Sequence, residues 1–384
     1  MRISQSVFGV FHHFELARQL DERGHLQAIY STWPWMRLKR EQLPRQKVHT
    51  FPWLHTPAML LARTGLRSRW LSDHLGYANA LAFDAWTDRK LAPDCQALIG
   101  ISGSSLTTGR HLQQRGGRFI CDRGSTHQRY QEQIVREEFL RWGVDLPVSD
   151  IRDTLREEAL YAMADAITVP STAALRSFIS MGLPAERLHV IPYGVRLESF
   201  QKTADPPLDS FEVLFAGQVT LRKGIPYLLD AFSRVNHPHK QLTVVGALQP
   251  DVRAVLGRFP LDHVEFLGSI PQPELARRMS RSHLLVLPSI EEGLALVQAQ
   301  ALACGCPVLA STATGSEDLF TDGVEGFIVP VRDADALLQR MEQIAQDHAL
   351  QQRMSEAGLR RVRELGGWDR YGDQWEQLLT SLIL

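Results

Sequence analysis

The chain is short of cysteine, of net charge and of long apolar runs, and each shortage closes off a class of protein. Its four cysteines, at positions 95, 121, 304 and 306, show no paired metal-ligand spacing. Cys304-Gly305-Cys306 is too tight for a zinc knuckle and has no second pair to complete one. Small buried residues in a reducing compartment are expected instead. A net charge of -1 argues against a dedicated nucleic-acid binder. No run of about 18 apolar residues exists, so no membrane-spanning helix is expected. Met1–Val7 reads as a short strand rather than a basic segment before an apolar core. No leader is therefore expected, and the cytosol is the expected compartment. Internal repeats and low-complexity stretches are also missing.

What is there has the make-up of a soluble globular enzyme, and 384 residues call for two domains rather than one. Charge is unevenly placed. Residues 1–200 carry 25 Lys+Arg against 20 Asp+Glu, which leaves the remainder at -6. Eight of those bases (Arg37, Lys39, Arg40, Arg45, Lys47, Arg63, Arg67 and Arg69) fall in 37–69 against one acid, Glu41. Trp33, Trp35, Phe51, Trp53, Met59, Leu60, Leu61, Leu66, Trp70 and Leu71 interleave with them. Such a stretch suits contact with anionic lipid. It equally suits core plus a solvated face, or a groove for an anionic acceptor.

Strands and helices alternate along the first half. Arg2–Val7 reads as a buried strand, Gly9 as a turn, Phe11–Arg23 as a helix stopped by Gly24, and Leu26–Tyr30 as the next strand. That order is a βαβ unit and calls for a parallel sheet. Further strands are expected at Ala97–Ile101, Arg118–Asp122, Ala166–Val169 and Leu188–Ile191, with helices at Tyr130–Trp142 and Ile151–Met163. Residues 32–75 read as irregular. The stretch 199–210, with adjacent prolines and no apolar period, reads as a linker. Strands then resume at Phe211–Ala216, Gln241–Gly246, Val264–Gly268, Leu284–Pro288, Pro307–Ala310 and Gly326–Val329. The fold class is therefore α/β: two doubly wound, Rossmann-like domains, 1–198 and 211–369. Ligands are expected at the carboxyl ends of the strands. The last helix, 370–384, is expected to fold back across the linker onto the first domain.

Two motifs carry chemistry. In Phe215-Ala-Gly217-Gln218-Val-Thr-Leu-Arg222-Lys223-Gly-Ile225, a strand ends, Gly217 permits a close turn, and two cations precede a helix. A helix mouth with added cations suits a diphosphate, although the same residues could be a solvated Arg-Lys pair before a turn. In Pro288-Ser-Ile-Glu291-Glu292-Gly293, acids follow a strand, and a helix of small residues is expected from Leu294 to Cys304. Carboxylates accept hydrogen bonds from sugar hydroxyls. Eight residues separate Glu292 from Gln300, about 12 Å along a helix, which matches the span from sugar to ribose in a nucleotide sugar. A capping acid and a buried glutamine would give the same pattern.

These blocks resemble the retaining family 4 glycosyltransferases of the GT-B fold. Their Glu-x7-Glu signature sits in a Pro-Ser-x-x-Glu-Gly…Gly-x-Pro-Val context, here running from Pro288 to Val308. Val190-Ile-Pro-Tyr-Gly-Val195 is similar to their interdomain Ile-Pro-Asn-Gly-Val segment. Leu221–Ala231, Phe266-Leu-Gly268, Thr314-Gly-Ser-Glu-Asp318 and Gly323–Pro330 follow in the family's order. The likeness is strong over about 160–370 and weaker upstream, where acceptor lobes vary.

The resemblance implies two lobes facing across a cleft, a nucleotide-diphosphate sugar as donor, and a glycan, lipid-linked or other hydroxyl acceptor. It implies a place in surface polysaccharide or glycoconjugate synthesis, net retention at the anomeric carbon with the departing phosphate as base, and no cofactor or metal. Lys223 would bind the diphosphate, Glu292 a sugar hydroxyl, and backbone N–H groups at Leu294, Ala295 and Leu296 the sugar and phosphate. Gly9 would let the first lobe approach the donor, and Gly217, Arg222, Glu291 and Gly293 would line its site. His127 matches a sugar-contacting histidine, unless Asp122 aligns there instead. Two departures stand out. Gln218 occupies the place of a phosphate-binding arginine, so Arg222 or another cation would substitute. Gln300 replaces the ribose-binding glutamate and offers one acceptor oxygen where a carboxylate offers two. Either one hydrogen bond suffices for any ribose, or a deoxyribose donor such as a dTDP-sugar is favoured. The rival readings are a nucleotide-sugar epimerase and a non-catalytic GT-B subunit kept for binding or assembly.

Overall fold

The computed structural model describes residues 1–53, 69–146, 150–195 and 198–383. Among the described residues the strands form two sheets. The first comprises β1 (Ile3–Val7), β2 (Leu26–Ser31), β3 (Val48–Thr50), β4 (Ala97–Ile101), β5 (Arg118–Asp122), β6 (Ala166–Val169) and β7 (Leu188–Val190), ordered β3-β2-β1-β4-β5-β6-β7. The second comprises β8 (Phe211–Ala216), β9 (Lys240–Val245), β10 (Val264–Gly268), β11 (Leu284–Leu287), β12 (Val308–Ser311) and β13 (Gly326–Val329), ordered β10-β9-β8-β11-β12-β13. Both sheets are parallel throughout. Strand order reverses beside β1 in one lobe and beside β8 in the other. The crevices at the carboxyl ends of β1/β4 and β8/β11 are thus the positions at which doubly wound sheets bind ligands.

Strands covered on both faces tend to read as near-continuous apolar runs, and the centre of the second sheet does. All four side chains of β11, Leu-Leu-Val-Leu, are buried. Helices Ile225–Arg234 and Ala334–Gln346 pack together on this sheet through Leu228, Leu229, Phe232, Leu337 and Met341.

The described part of residues 32–75 is more regular than its composition suggested. Trp35–Leu38 is a short helix, Val48–Thr50 is the edge strand β3, and a helix runs from Arg69 to Lys90. A three-residue strand is too short for an alternation pattern to show, and β3 exists because β2 templates it. Met59, Leu60, Leu61, Arg63, Leu66 and Arg67 lie outside the described residues.

The lobes are firmly joined. Phe200 is buried in the second core, and the Thr203 amide donates to Ser280 Oγ at 3.1 Å, so the 199–210 stretch runs along the second lobe. Helix Trp368–Ile383 returns to the first lobe. There Tyr371, Trp375 and Leu379 pack with Phe14, Leu16 and Leu20 of helix His13–Glu22. Arg23 and His25 pair with Asp373 and Glu376 along its edge. Gly194 is needed where the two crossings meet, since a Cβ there would lie 2.6 Å from the Trp368 backbone.

Candidate active site

The second lobe builds its crevice from two loops that adjacent strands place side by side. After β8, Gly217 (φ +154°) leads to Thr220, whose hydroxyl accepts from the Lys223 amide at 3.3 Å and starts a single 3-10 turn, Leu221–Lys223. Helix Ile225–Arg234 begins only afterwards, so Arg222 and Lys223 stand in the turn before the helix and not on it. Gly224 makes the step at φ +70°, and a Cβ there would collide with the Pro288 carbonyl at the end of β11. The Ile290 amide then donates to the Arg222 carbonyl at 2.8 Å, fastening the cationic turn to the acidic loop.

Lys223 and Glu292 meet in this crevice as an ion pair, with side chains only 14% and 17% exposed. Burial, reinforced by the Arg222 guanidinium, pulls the Lys223 ammonium down to about 7, and Glu291 opposes the shift. Arg222 is already committed. Its Nη1 donates to the Glu291 carbonyl at 2.8 Å and to its carboxylate at 3.1 Å, and lies 3.7 Å from Glu292.

Glu291 fastens one lobe to the other. Its Oε1 accepts from the Ser125 and Thr126 hydroxyls at 2.8 and 2.6 Å, and its Oε2 from Gln131 Nε2 at 2.8 Å as well as from Arg222. Burial would raise this carboxyl, but Arg222, Thr126, Gln131 and Ser125 outweigh it and hold it below the usual range. Beside it, a Cβ on Gly293 would strike the Gly124 carbonyl of the first lobe, and the Gly293 carbonyl accepts from Ser171 Oγ at 2.5 Å.

The helix after this loop spans Val297–Ala303, three residues shorter at its start than its composition suggested. Leu294–Leu296 approach it as a loop because the Ala295 amide is drawn to the Thr314 carbonyl at 3.1 Å. Gln300 is half-buried on this helix. The fully buried glutamine is its neighbour Gln298, held by the Thr314 carbonyl and Ser316 hydroxyl. Gln218 is exposed next to Gly217.

In the first lobe, Gly9 (φ +79°) donates its amide to Thr32 Oγ1 at 3.0 Å, and a Cβ on it would come within 2.9 Å of the Trp33 indole nitrogen. Its close approach in this structure is therefore to Trp33. His127 is the N-cap of helix Gln128–Trp142: Nδ1 accepts from the Arg129 amide at 3.2 Å, and the ring lies against Tyr161 and Phe178. Burial lowers it to about 4, with Glu158 opposing. Asp122, at the end of β5, holds two histidines that the sequence reading did not single out. His12 Nε2 lies 2.6 Å and His13 Nε2 3.2 Å from Asp122 Oδ2, while Thr168 Oγ1 donates to Oδ1 at 2.7 Å. Ser125, Thr126, Gln131 and Tyr193 were likewise missed. The readable signal was a His-His doublet just after the first glycine turn, and a tyrosine where the resemblance has asparagine.

His12, His13 and Asp122 are also the one cluster of metal-ligand type among the described residues, but the 2.6 Å His12–Asp122 separation is that of a hydrogen bond. Asp333-Ala334-Asp335 is an Asp-x-Asp sequence whose acids have other tasks. Asp333 caps helix Ala334–Gln346, and Asp335 pairs with Arg234. All four cysteines are buried and unpaired. In the basic segment, Arg37 and Arg45 cover the Trp33 and Trp35 rings at 4.0 and 4.8 Å. No helix among the described residues is long and apolar enough to cross a membrane.

Residues 198–361 match the family model described as glycosyl transferases group 1. The match falls on the second lobe, which is similar to group 1 glycosyltransferase domains. The chain is 28% identical over 235 residues to a D-inositol 3-phosphate glycosyltransferase of Xylanimonas cellulosilytica, an alignment covering 56% of each protein. It thus spans about half the length of the curated relatives it matches. Likeness of fold extends over both lobes. Sucrose-phosphate synthase from Thermosynechococcus elongatus superposes with a TM-score of 0.73 at 22% identity, covering 100% of this chain and 99% of that one. Anabaena HepE in complex with UDP gives 0.68 at 16% identity, covering 99% and 100%. With its two Rossmann-like lobes, the chain has the GT-B fold.

Proposed function

We propose that the protein transfers a sugar from a nucleoside-diphosphate donor to a hydroxyl acceptor, with net retention at the anomeric carbon. The observation that carries this reading is the meeting of Lys223 and Glu292 in one buried crevice at the strand-order reversal of the group 1 lobe. Cleaving a sugar–phosphate bond puts positive charge on the sugar and negative charge on the diphosphate. A donor entering here exchanges the Lys223–Glu292 pair for two better-matched partners: the ammonium meets the diphosphate, and the carboxylate meets a sugar hydroxyl. HepE, the neighbour solved with UDP, supports a uridine nucleotide as the first donor to try. The Glu291 network holds the lobes together over the crevice, which favours exclusion of water.

The test is thermal stabilisation by UDP-, GDP-, ADP- and dTDP-sugars, since a ligand bound only by the folded state raises its melting temperature. Stabilisation by one of them, with hydrolysis or transfer of its sugar, is the expected result; neither binding nor turnover of any overturns the reading. A non-catalytic shell would bind and do nothing more. The anomeric configuration of the product, read by NMR, tests retention.

A lipid-linked acceptor is favoured by one further observation. Phe11, Met36 and Trp53 are exposed at 57%, 80% and 73% on the segments that follow the adjacent strands β1, β2 and β3, among Arg37, Lys39, Arg40 and Arg45. An apolar rim set among cations suits an anionic bilayer. Flotation with anionic but not neutral liposomes is expected, and absence of binding at low salt rejects it.

A further inference from the structure

We propose that Arg123 and Gln131 are positioning residues for transfer, which act from the first lobe through Glu291 to aim the loop that carries Glu292. The proposal rests on the transferase reading and names what orders that same site. Glu291 and Glu292 are neighbours with opposite roles. Glu291 is held by Ser125, Thr126 and Gln131 of the first lobe, whereas Glu292 must leave Lys223 to meet a sugar. Whatever fixes Glu291 therefore also fixes how the residue beside it points.

Arg123 is buried just past the end of β5. A guanidinium carries five hydrogens and can only donate, and here each has an acceptor. Nε donates to the Thr126 carbonyl at 2.9 Å. Nη1 donates to Ser102 Oγ at 3.1 Å and to Glu157 Oε2 at 2.9 Å, and Nη2 to the side-chain oxygens of Gln128 at 2.8 Å and Gln131 at 3.0 Å. All of these acceptors belong to the first lobe. The bond to Thr126 braces the turn whose Ser125 and Thr126 hydroxyls reach Glu291.

The bond to Gln131 carries the effect across the lobes. An amide has one accepting end and one donating end. The guanidinium claims the oxygen of Gln131, so the nitrogen faces away from it and meets the Glu291 carboxylate, which can only accept, at 2.8 Å. Both neighbours demand the same orientation of the amide, and Gln131 joins a fixed positive group of one lobe to a negative group of the other. Glu291 Oε2 is shared between Gln131 and Arg222, whose Nη1 also lies 3.7 Å from Glu292. Anchored by its first-lobe donors, Glu291 keeps Arg222 to itself. Released from them it would turn, and Arg222 would be free to take Glu292, the carboxylate that a donor sugar needs. The relay thus keeps Glu292 available and makes its aim depend on an arginine of the other lobe.

The test uses the full chain and whichever of UDP-, GDP-, ADP- or dTDP-glucose stabilises it most, with water as the acceptor and the matching nucleoside diphosphate as binding probe. Gln131→Met, which keeps the length and removes both polar ends, should lower kcat for hydrolysis about tenfold or more, with affinity for the nucleoside diphosphate within about threefold of wild type. Gln131→Glu still accepts from Arg123 but turns a bare carboxylate toward Glu291, and should be slower still. Arg123→Lys has three hydrogens where the guanidinium has five, and should lose at least about fivefold. The deciding measurement is the cycle with Glu291→Gln: adding Gln131→Met to that variant should cost less than about twofold further, because the two act as one unit. Arg156→Lys controls for lobe stability alone. Arg156 is a buried arginine of the same lobe bonded instead to Asp84 and the Gly103 carbonyl, and its variant should keep kcat within about twofold of wild type. A Gln131→Met chain within about twofold of wild type, losses that multiply in the double variant, or an equal loss in Arg156→Lys overturns the proposal. A wild-type chain that turns over none of the four sugars fails earlier, and takes the transferase reading down with it.

Discussion

The two lobes share one sheet plan yet assemble their site residues in opposite ways. In the second lobe, the cationic turn at 221–224 and the acidic loop at 288–293 follow strands β8 and β11, which are hydrogen-bonded neighbours. Each motif is contiguous, and one strand pairing brings both together. In the first lobe, His12 and Asp122 are 110 residues apart, and β4 separates their strands. They meet because the parallel register of β1, β4 and β5 ends these strands at one level. The cation and acid blocks of the second lobe can thus be written in short stretches, while the His12–Asp122 pair of the first is distributed, and its residues make sense only once the sheet exists.

The joint between lobes depends most on the returning C-terminal helix. Trp375 is fully buried between that helix and the first-lobe core, so Trp375→Ala should cost about 3–5 kcal/mol in denaturant unfolding. A small effect would mean that the first lobe stands without its borrowed helix. Next is Glu291→Gln, which puts an amide among four donors and should cost about 1–3 kcal/mol. Since the folded carboxyl lies below its ordinary value, its contribution is complete above the unfolded range of about 4.3 and is lost as pH falls through the lower folded value. The variant should show less of that acid-side decline.

Within the proposed donor site, Lys223→Ala and Glu292→Ala should each lower turnover at least about tenfold, or about 1.4 kcal/mol, in a hydrolysis or transfer assay. Near-normal activity in both would erase the distinction between the lobes. Burial pulls the Lys223 ammonium down to about 7, and a diphosphate recognises its charged form. UDP affinity should therefore be greatest below that pH and fall as pH rises through it, by up to about tenfold per unit, in calorimetry. Lys223→Arg should flatten the profile. Smallest is Gln300→Glu, expected to favour UDP over dTDP by no more than about 1 kcal/mol. Equal affinity of the natural chain for both nucleotides would remove any argument for a deoxyribose donor.

Much of the fold was legible beforehand. β4, β5, β6, β8, β10 and β13 fall where apolar runs bounded by turns put them, because a strand covered on both faces has little freedom in composition. β3 escaped notice because three residues carry no period. The helix expected at Leu294 starts later because Thr314, a residue from another strand's loop, captures the Ala295 amide. In the site, Lys223 and Glu292 could be picked from their blocks. The commitment of Arg222 and Glu291 to each other and to Ser125, Thr126 and Gln131 could not, since those bonds cross between lobes.

Alone, the order of residues determined the elements, the two-lobed α/β plan and the contiguous cation and acid blocks, because these rest on local backbone preference and on burial patterns a few residues long. Only the tertiary structure decided which charges are spent on holding the lobes together, which lysine is desolvated, and that His12 finds Asp122. Those outcomes depend on distances between groups far apart in the chain, and it is at such short distances, away from water, that charge and hydrogen bonding become strong enough to do chemistry.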